Sequence, residues 1–160
     1  MGQRGFWDEQ QRVAKLKEKK PVLQRLSESI PWDSYRLLKL ATPGAFTFIL
    51  DASKEVPRRV SHPSRKSIGL RVPDHRVIHA LLAEHGQPLL ATTLILPNAE
   101  APLNDAEEIH AHLASELAGV IDAGACAGTP TTVIDLTPMR TGEAPDIMRK
   151  GAGDWTSLGL

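Results

Sequence analysis

The sequence predicts an α/β layer architecture, and three observations carry that prediction. Apolar runs of strand length occur at 46–50 and 131–136, the segment 67–72 alternates strictly, and helix-spaced apolar stripes lie between them. Strands that alternate with helices along a chain bury their faces in stacked layers.

Taken in order, residues 8–20 are rich in Glu, Gln, Lys, Ala and Leu and can be helical, with a thin stripe of Val13 and Leu16. Ser34 to Leu40 gives one or two helical turns, stopped before Pro43. Phe46 to Leu50 is a short buried strand. In Ser67 to Val72, Ile68, Leu70 and Val72 point to the core, while Ser67, Gly69 and Arg71 point the other way. A hydroxyl, a bare glycine and a guanidinium on one face suit a ligand-facing strand.

Asp74 can cap a helix over about 75–85, with Val77, Ile78, Leu81 and Leu82 as its stripe and Gly86 past its end. Pro88 to Leu96 reads as a strand bearing Thr92 and Thr93. Asn104 and Glu107 have capping-box spacing ahead of a helix with Ile109, Leu113 and Leu117 as its core stripe. Val120 to Asp122, Thr131 to Leu136 and Asp146 to Arg149 are three further strand candidates.

A chain of 160 residues with 41% hydrophobic and 24% charged residues is about one globular domain. Its single cysteine, Cys126, has no intramolecular partner, which favours a reducing compartment. With no signal-type start and no apolar run of spanning length, the expectation is a cytoplasmic protein with no membrane association.

The zero net charge hides a division. Residues 1–76 hold 16 Lys/Arg and 8 Asp/Glu, and residues 77–160 hold 3 and 11. The tightest basic stretch, Lys54 to Arg76, includes Arg58, Arg59, Arg65 and Lys66, candidates for RNA or phosphate contacts. The competing reading is a pair of solvated faces that attract each other. The stretch contains no aromatic residue, so RNA would be held through its phosphates rather than by base stacking.

Arg71 is the leading single candidate, because its planar fork can hold a carboxylate or phosphate with two parallel hydrogen bonds. A surface salt bridge to the acidic half is the alternative. The hydroxyls of Thr129, Thr131 and Thr132 can donate to an anionic ligand, or can reflect the strand propensity of threonine. His75 and His79 have a metal-like spacing but no third ligand, so no protein metal site is expected. Nothing resembles a P-loop or a Ser/His/Asp set, and no residue is assigned a covalent catalytic role.

Five segments in order then bring a family into view. TPGAFTFIL (42–50), SIGLRVPDH (67–75), PLLATTLILP (88–97), TPTTVIDLT (129–137) and MRKGAG (148–153) resemble, in order and spacing, the later two-thirds of a YrdC/YciO-type domain. That is the fold of the threonylcarbamoyl-AMP synthases. The details lean to the YciO-like branch, since Ile95 stands where the family has an ATP-binding asparagine.

The resemblance implies a twisted mixed sheet flanked by helices around a concave site, incomplete at its N-terminal side. Residues 1–27 would be a separate, partly helical segment, 28–154 the YrdC-like domain and 155–160 a tail. It implies a reaction in which L-threonine, bicarbonate and ATP, with Mg²⁺ assisting, give threonylcarbamoyl-AMP and pyrophosphate for tRNA modification. Arg71, Thr93 and Thr131 would then surround L-threonine, and Ser67 and Arg149 would contact the nucleotide. The family's front motifs, a Pro-Thr-Asp/Glu segment and a Lys-x-Arg pair, are not found in this sequence. Activity is therefore expected to be reduced or lost, with a double-stranded RNA-, tRNA- or nucleotide-binding module as the alternative. An open sheet edge would favour a homodimer.

Overall fold

The structure is a computed structural model that describes residues 31–54, 56–57, 60–126 and 128–160. The helix expected over residues 8–20 lies outside the described residues, as do Arg58 and Arg59.

Helix α1 spans Trp32–Ala41, strand β1 Phe46–Asp51, β2 Ser67–Leu70, helix α2 Arg76–His85, helix α3 Ala106–Leu113, β3 Thr132–Asp135 and β4 Asp146–Arg149. Short 3₁₀ turns at Thr137–Thr141 and Trp155–Leu158 follow β3 and β4. The four strands form one mixed sheet in the order β2-β1-β3-β4, with β1 and β3 parallel at its centre. Both outer pairs are antiparallel. The expected α/β class with a mixed sheet is what the chain forms.

One sheet face makes the core. Phe46, Phe48 and Leu50 of β1 alternate inward beside Ile134 of β3 and Leu136, against Leu38 and Ala41 of α1. Leu37, Met139, Trp155, Leu158 and Leu160 close the cluster at its margins. Phe48 and Ile134 are fully buried, the class of site at which truncation to alanine costs about 2–5 kcal/mol. The buried Ser34 hydroxyl is satisfied by Met139 Sδ at 3.4 Å, and Thr42 Oγ1 donates to the orphan Leu38 carbonyl at 2.7 Å where α1 ends.

Several local expectations are corrected. Helix α2 is capped by His75, not Asp74, without a side-chain cap bond, although Gly86 does end it in the left-handed region at φ 69°. The cap of α3 is Asp105, whose Oδ1 accepts from Glu108 N at 2.9 Å. Asn104 is used elsewhere: its amide exchanges hydrogen bonds with the backbone N–H and carbonyl of Cys126. The strand expected at Val120 to Asp122 does not form; that segment is irregular. Pro88 to Leu96 is not a strand either; Leu94 O instead accepts from Leu103 N at 3.0 Å across a loop. Neither α2 nor α3 holds a buried residue, so their apolar stripes are only half covered.

Candidate functional site

Side chains on a strand alternate, so the face of the sheet opposite the core is fixed by the register. Thr47 lies between Phe46 and Phe48 and therefore points away from the core. It pairs with Val133 of β3, and Val133 pairs with Arg149 of β4. On the other side, Phe48 pairs with Leu70, and Gly44 N donates to Val72 O at 2.9 Å. The register between those points sets Arg71, just past the end of β2, beside Thr47. Thr131, two residues before Val133, shares its face. The result is one row across the sheet: Arg71, Thr47, Thr131, Arg149.

The middle of the row is tightly tied. Thr47 Oγ1 and Thr131 Oγ1 are 2.8 Å apart. Arg149 donates from Nε and Nη2 to the Thr131 carbonyl at 3.1 and 3.0 Å, and from Nη2 to Thr131 Oγ1 at 3.3 Å. Among the described residues its Nη1 makes no hydrogen bond. Thr131 is 8% exposed, whereas Arg149 and Arg71 are both exposed.

The strand start at 131–132 is held from behind by residues 151–153. The fully buried Thr132 hydroxyl donates to Gly153 O at 2.6 Å and accepts from Gly151 N at 3.0 Å, while Ala152 N donates to Pro130 O at 2.8 Å. A Cβ on Gly151 would run into Pro130 O and the Thr131 backbone, and one on Gly153 would sit 2.6 Å from the Phe46 ring. Two bare glycines thus let the turn after β4 press against the start of β3. That contact fixes Arg149 relative to Thr131.

Neighbouring strands lie about 4.8 Å apart, so three steps from β2 to β4 separate the backbones of Arg71 and Arg149 by about 14 Å. The Arg149 guanidinium folds back onto Thr131 of the neighbouring strand, so the two cations of the row flank the Thr47–Thr131 hydroxyl pair. Arg71 is exposed and makes no ion pair with an acidic residue among the described residues. Among the described residues, Arg140 pairs with Asp51 at 3.5 Å, at the far end of β1 and well exposed.

The other sequence candidates lie apart from the row. Ser67 shares its face but is 8% exposed and sits at the opposite end of β2, paired with Asp51. Thr93 is exposed within the irregular segment that follows α2 and is not brought to the sheet by any strand pairing. Arg65 and Lys66 are exposed in the turn before β2, where His62 Nδ1 accepts from Arg65 N at 3.1 Å and His62 O accepts from Lys66 N at 3.0 Å. Lys66 takes φ 52° to close that turn. His79 Nε2 lies 2.7 Å from Pro73 O, and no group of three or more His, Cys, Asp or Glu side chains that could hold a metal ion forms among the described residues. None of their helices is long and apolar enough to cross a membrane. Thr47 was not singled out from sequence, although it stands at the centre of the row.

Comparison with known proteins gives this arrangement a context. The Sua5/YciO/YrdC family model, described as telomere recombination, matches residues 12–151. The uncharacterized protein YciO of Escherichia coli K12 is 45% identical over 121 residues, 76% of this chain and 57% of that protein. The threonylcarbamoyl-AMP synthase of Bacillus subtilis is 28% identical over 130 residues, 81% of this chain and 36% of the synthase. Among solved structures, E. coli YciO superposes with a TM-score of 0.71 at 42% identity, covering 81% of this chain and 61% of that one. Pyrococcus abyssi Sua5 complexed with L-threonine superposes with a TM-score of 0.69 at 25% identity, covering 81% and 36%. The chain thus spans a little over half the length of the YciO proteins it matches.

Proposed function

This chain belongs to the Sua5/YciO/YrdC family, and from that membership we propose that it binds L-threonine and ATP across the second face of its sheet, as a relative of the threonylcarbamoyl-AMP synthases. Arg71 takes the threonine carboxylate with its fork, and the Thr131 hydroxyl borders the amino acid. Arg149 faces the ATP phosphates with its free Nη1 donors, and Ser67 lies toward the rest of the nucleotide. The observation that supports this reading is the row itself, in which Arg71 and Arg149, on strands whose backbones lie about 14 Å apart, flank a pair of bonded hydroxyls.

The chemistry needs no covalent intermediate on the protein. The threonine amine attacks bicarbonate and water leaves, giving a carbamate whose oxygen attacks the α-phosphorus of ATP and expels pyrophosphate. The protein's part is to position the reactants and offset developing charge, and Mg²⁺ enters on the triphosphate as part of the substrate. This sequence has no Lys-x-Arg segment, so turnover is slowed by about 10²–10³, the usual cost of removing one such electrostatic group. The reading places the protein in the cytosol, where ATP and tRNA are.

Pyrophosphate release should require L-threonine, bicarbonate and ATP together, and should be slow. Release that continues when threonine is omitted would contradict the proposal, as would none above background at high protein concentration.

A second reading has its own support. Lys54, Arg65, Lys66, Arg71 and Arg76 are all exposed, and none has an acidic partner among the described residues. That leaves a basic strip free for double-stranded RNA, whose binding should weaken steeply between low and high salt. Binding that ignores salt would remove this reading.

A further inference from the structure

We propose that His79 is a positioning residue for Arg71: its imidazole pins the Pro73 carbonyl and so holds the segment that carries the guanidinium. The inference rests on the threonine-binding reading above and deepens it by naming what sets Arg71 in place.

Arg71 needs such a support because no strand pairing reaches it. The ladder between β1 and β2 ends at Phe48 and Leu70, and the chain then runs irregularly to α2. The Arg71 side chain is exposed and makes no ion pair among the described residues, so its place is set by the backbone on either side. Upstream that backbone is β2 itself. Downstream, two successive carbonyls are held from different elements. Val72 O accepts from Gly44 N at 2.9 Å, which ties the segment to the turn before β1. Pro73 O accepts from His75 N at 3.0 Å and lies 2.7 Å from His79 Nε2, in the first turn of α2.

A carbonyl oxygen has two lone pairs and no proton. The contact with His79 therefore requires a proton on Nε2, and together with His75 N it fills both lone pairs of Pro73 O. Nε2 carries that proton in the imidazolium and in one of the two neutral tautomers, so the contact selects that tautomer when the ring is neutral. The proline ring fixes φ at position 73 and biases Val72 to extended backbone, which leaves little slack between the two held carbonyls. His75 cannot take over the task. Its backbone N–H already goes to the same oxygen, and its Nδ1 is buried with no hydrogen-bond partner among the described residues. Helix α2 holds no buried residue, so core packing does not fix it against the sheet, and the His79 bond links it to the segment after Arg71.

The test compares His79→Leu, which removes the donor, with His79→Gln, whose side-chain amide carries an N–H at a similar reach. L-Threonine and a fluorescent ATP analogue are titrated separately into the full chain. His79→Leu should weaken L-threonine roughly threefold to tenfold, the scale of one hydrogen bond. It should leave the ATP analogue unchanged, because Arg149 is held by Thr131 and not by this segment. His79→Gln should restore most of the L-threonine affinity. Unchanged L-threonine binding in His79→Leu would overturn the inference while leaving the threonine-binding reading intact. So would a loss that extends equally to the ATP analogue, or one that His79→Gln does not repair. Nitrogen NMR of the wild-type His79 ring checks the anchor without any ligand. A proton on Nε2 is expected, and a ring protonated at Nδ1 alone would overturn the inference even in a chain that binds L-threonine. A wild-type chain that binds no L-threonine would overturn the threonine-binding reading and this inference with it.

Discussion

Arg149 clamps the Thr131 carbonyl from two nitrogens, Nε at 3.1 Å and Nη2 at 3.0 Å, while Nη2 also reaches the Thr131 hydroxyl at 3.3 Å. The fork joins edge strand β4 to the start of central strand β3. It also orients the remaining guanidinium edge outward, toward the face where the proposed phosphates lie. Lysine keeps the charge but cannot reproduce this planar two-point grip.

Arg149→Lys is therefore expected to lower ATP affinity about tenfold, in the range of one charge-assisted hydrogen bond. Titration of a fluorescent ATP analogue checks this. Equal affinity in Arg149→Lys would show that charge alone matters there.

Gly153→Ala tests the turn that supports this clamp. Its added Cβ would lie 2.6 Å from the Phe46 ring and 2.8 Å from the Ala45 carbonyl, neither of which is the free end of a flexible side chain. Overpacking of this kind costs about 1–3 kcal/mol. A fall in denaturant midpoint with an unchanged slope is the expected outcome. Weakened ATP binding should accompany it, because the same turn sets Arg149.

Asp154 provides a pH signature. Its Oδ1 accepts from Thr156 Oγ1 at 2.6 Å and from Thr156 N at 3.1 Å, and these bonds hold the carboxyl below its usual value, with the side-chain bond the larger cause. A carboxyl lowered by folding stabilises the native state above its unfolded pKa, and the effect is lost as pH falls through the folded pKa. The melting temperature of Asp154→Ala should accordingly lie slightly below the wild type at neutral pH. The gap should close as the pH drops below the ordinary carboxylate range. The difference is small because the group is at the surface. A gap that widens in acid would contradict the assignment.

Much of this architecture was legible in the sequence where local chemistry decides it. The Phe46-Thr47-Phe48 and Ser67 to Arg71 alternations assign strand faces before any pairing is known, and β4 begins and ends at the expected Asp146 and Arg149. Gly86 ends α2 because it can enter the left-handed region. What failed were the two strand candidates between α2 and β3, Pro88 to Leu96 and Val120 to Asp122, although the helix between them formed. Leu89, Leu90, Ile95 and Ile121 have the composition of buried strands yet are exposed. Strand formation needs a partner edge, and the register gives β1 and β3 to each other instead. The capping position shifted by one residue because Asn104 makes a non-local clasp to Cys126, a contact no local rule contains. Thr47 was overlooked for a similar reason. Threonine within an apolar strand looks like ordinary strand propensity until the order β2-β1-β3-β4 sets it between Arg71 and Thr131.

The most direct test is calorimetric titration of L-threonine into the wild-type chain, Arg71→Ala and Arg65→Ala. Arg65 is an exposed cation of the same basic stretch that lies before β2, outside the row. The account predicts saturable binding to the wild type, a loss of at least about tenfold in Arg71→Ala, and wild-type affinity in Arg65→Ala. Arg71→Ala binding L-threonine as tightly as the wild type would contradict it.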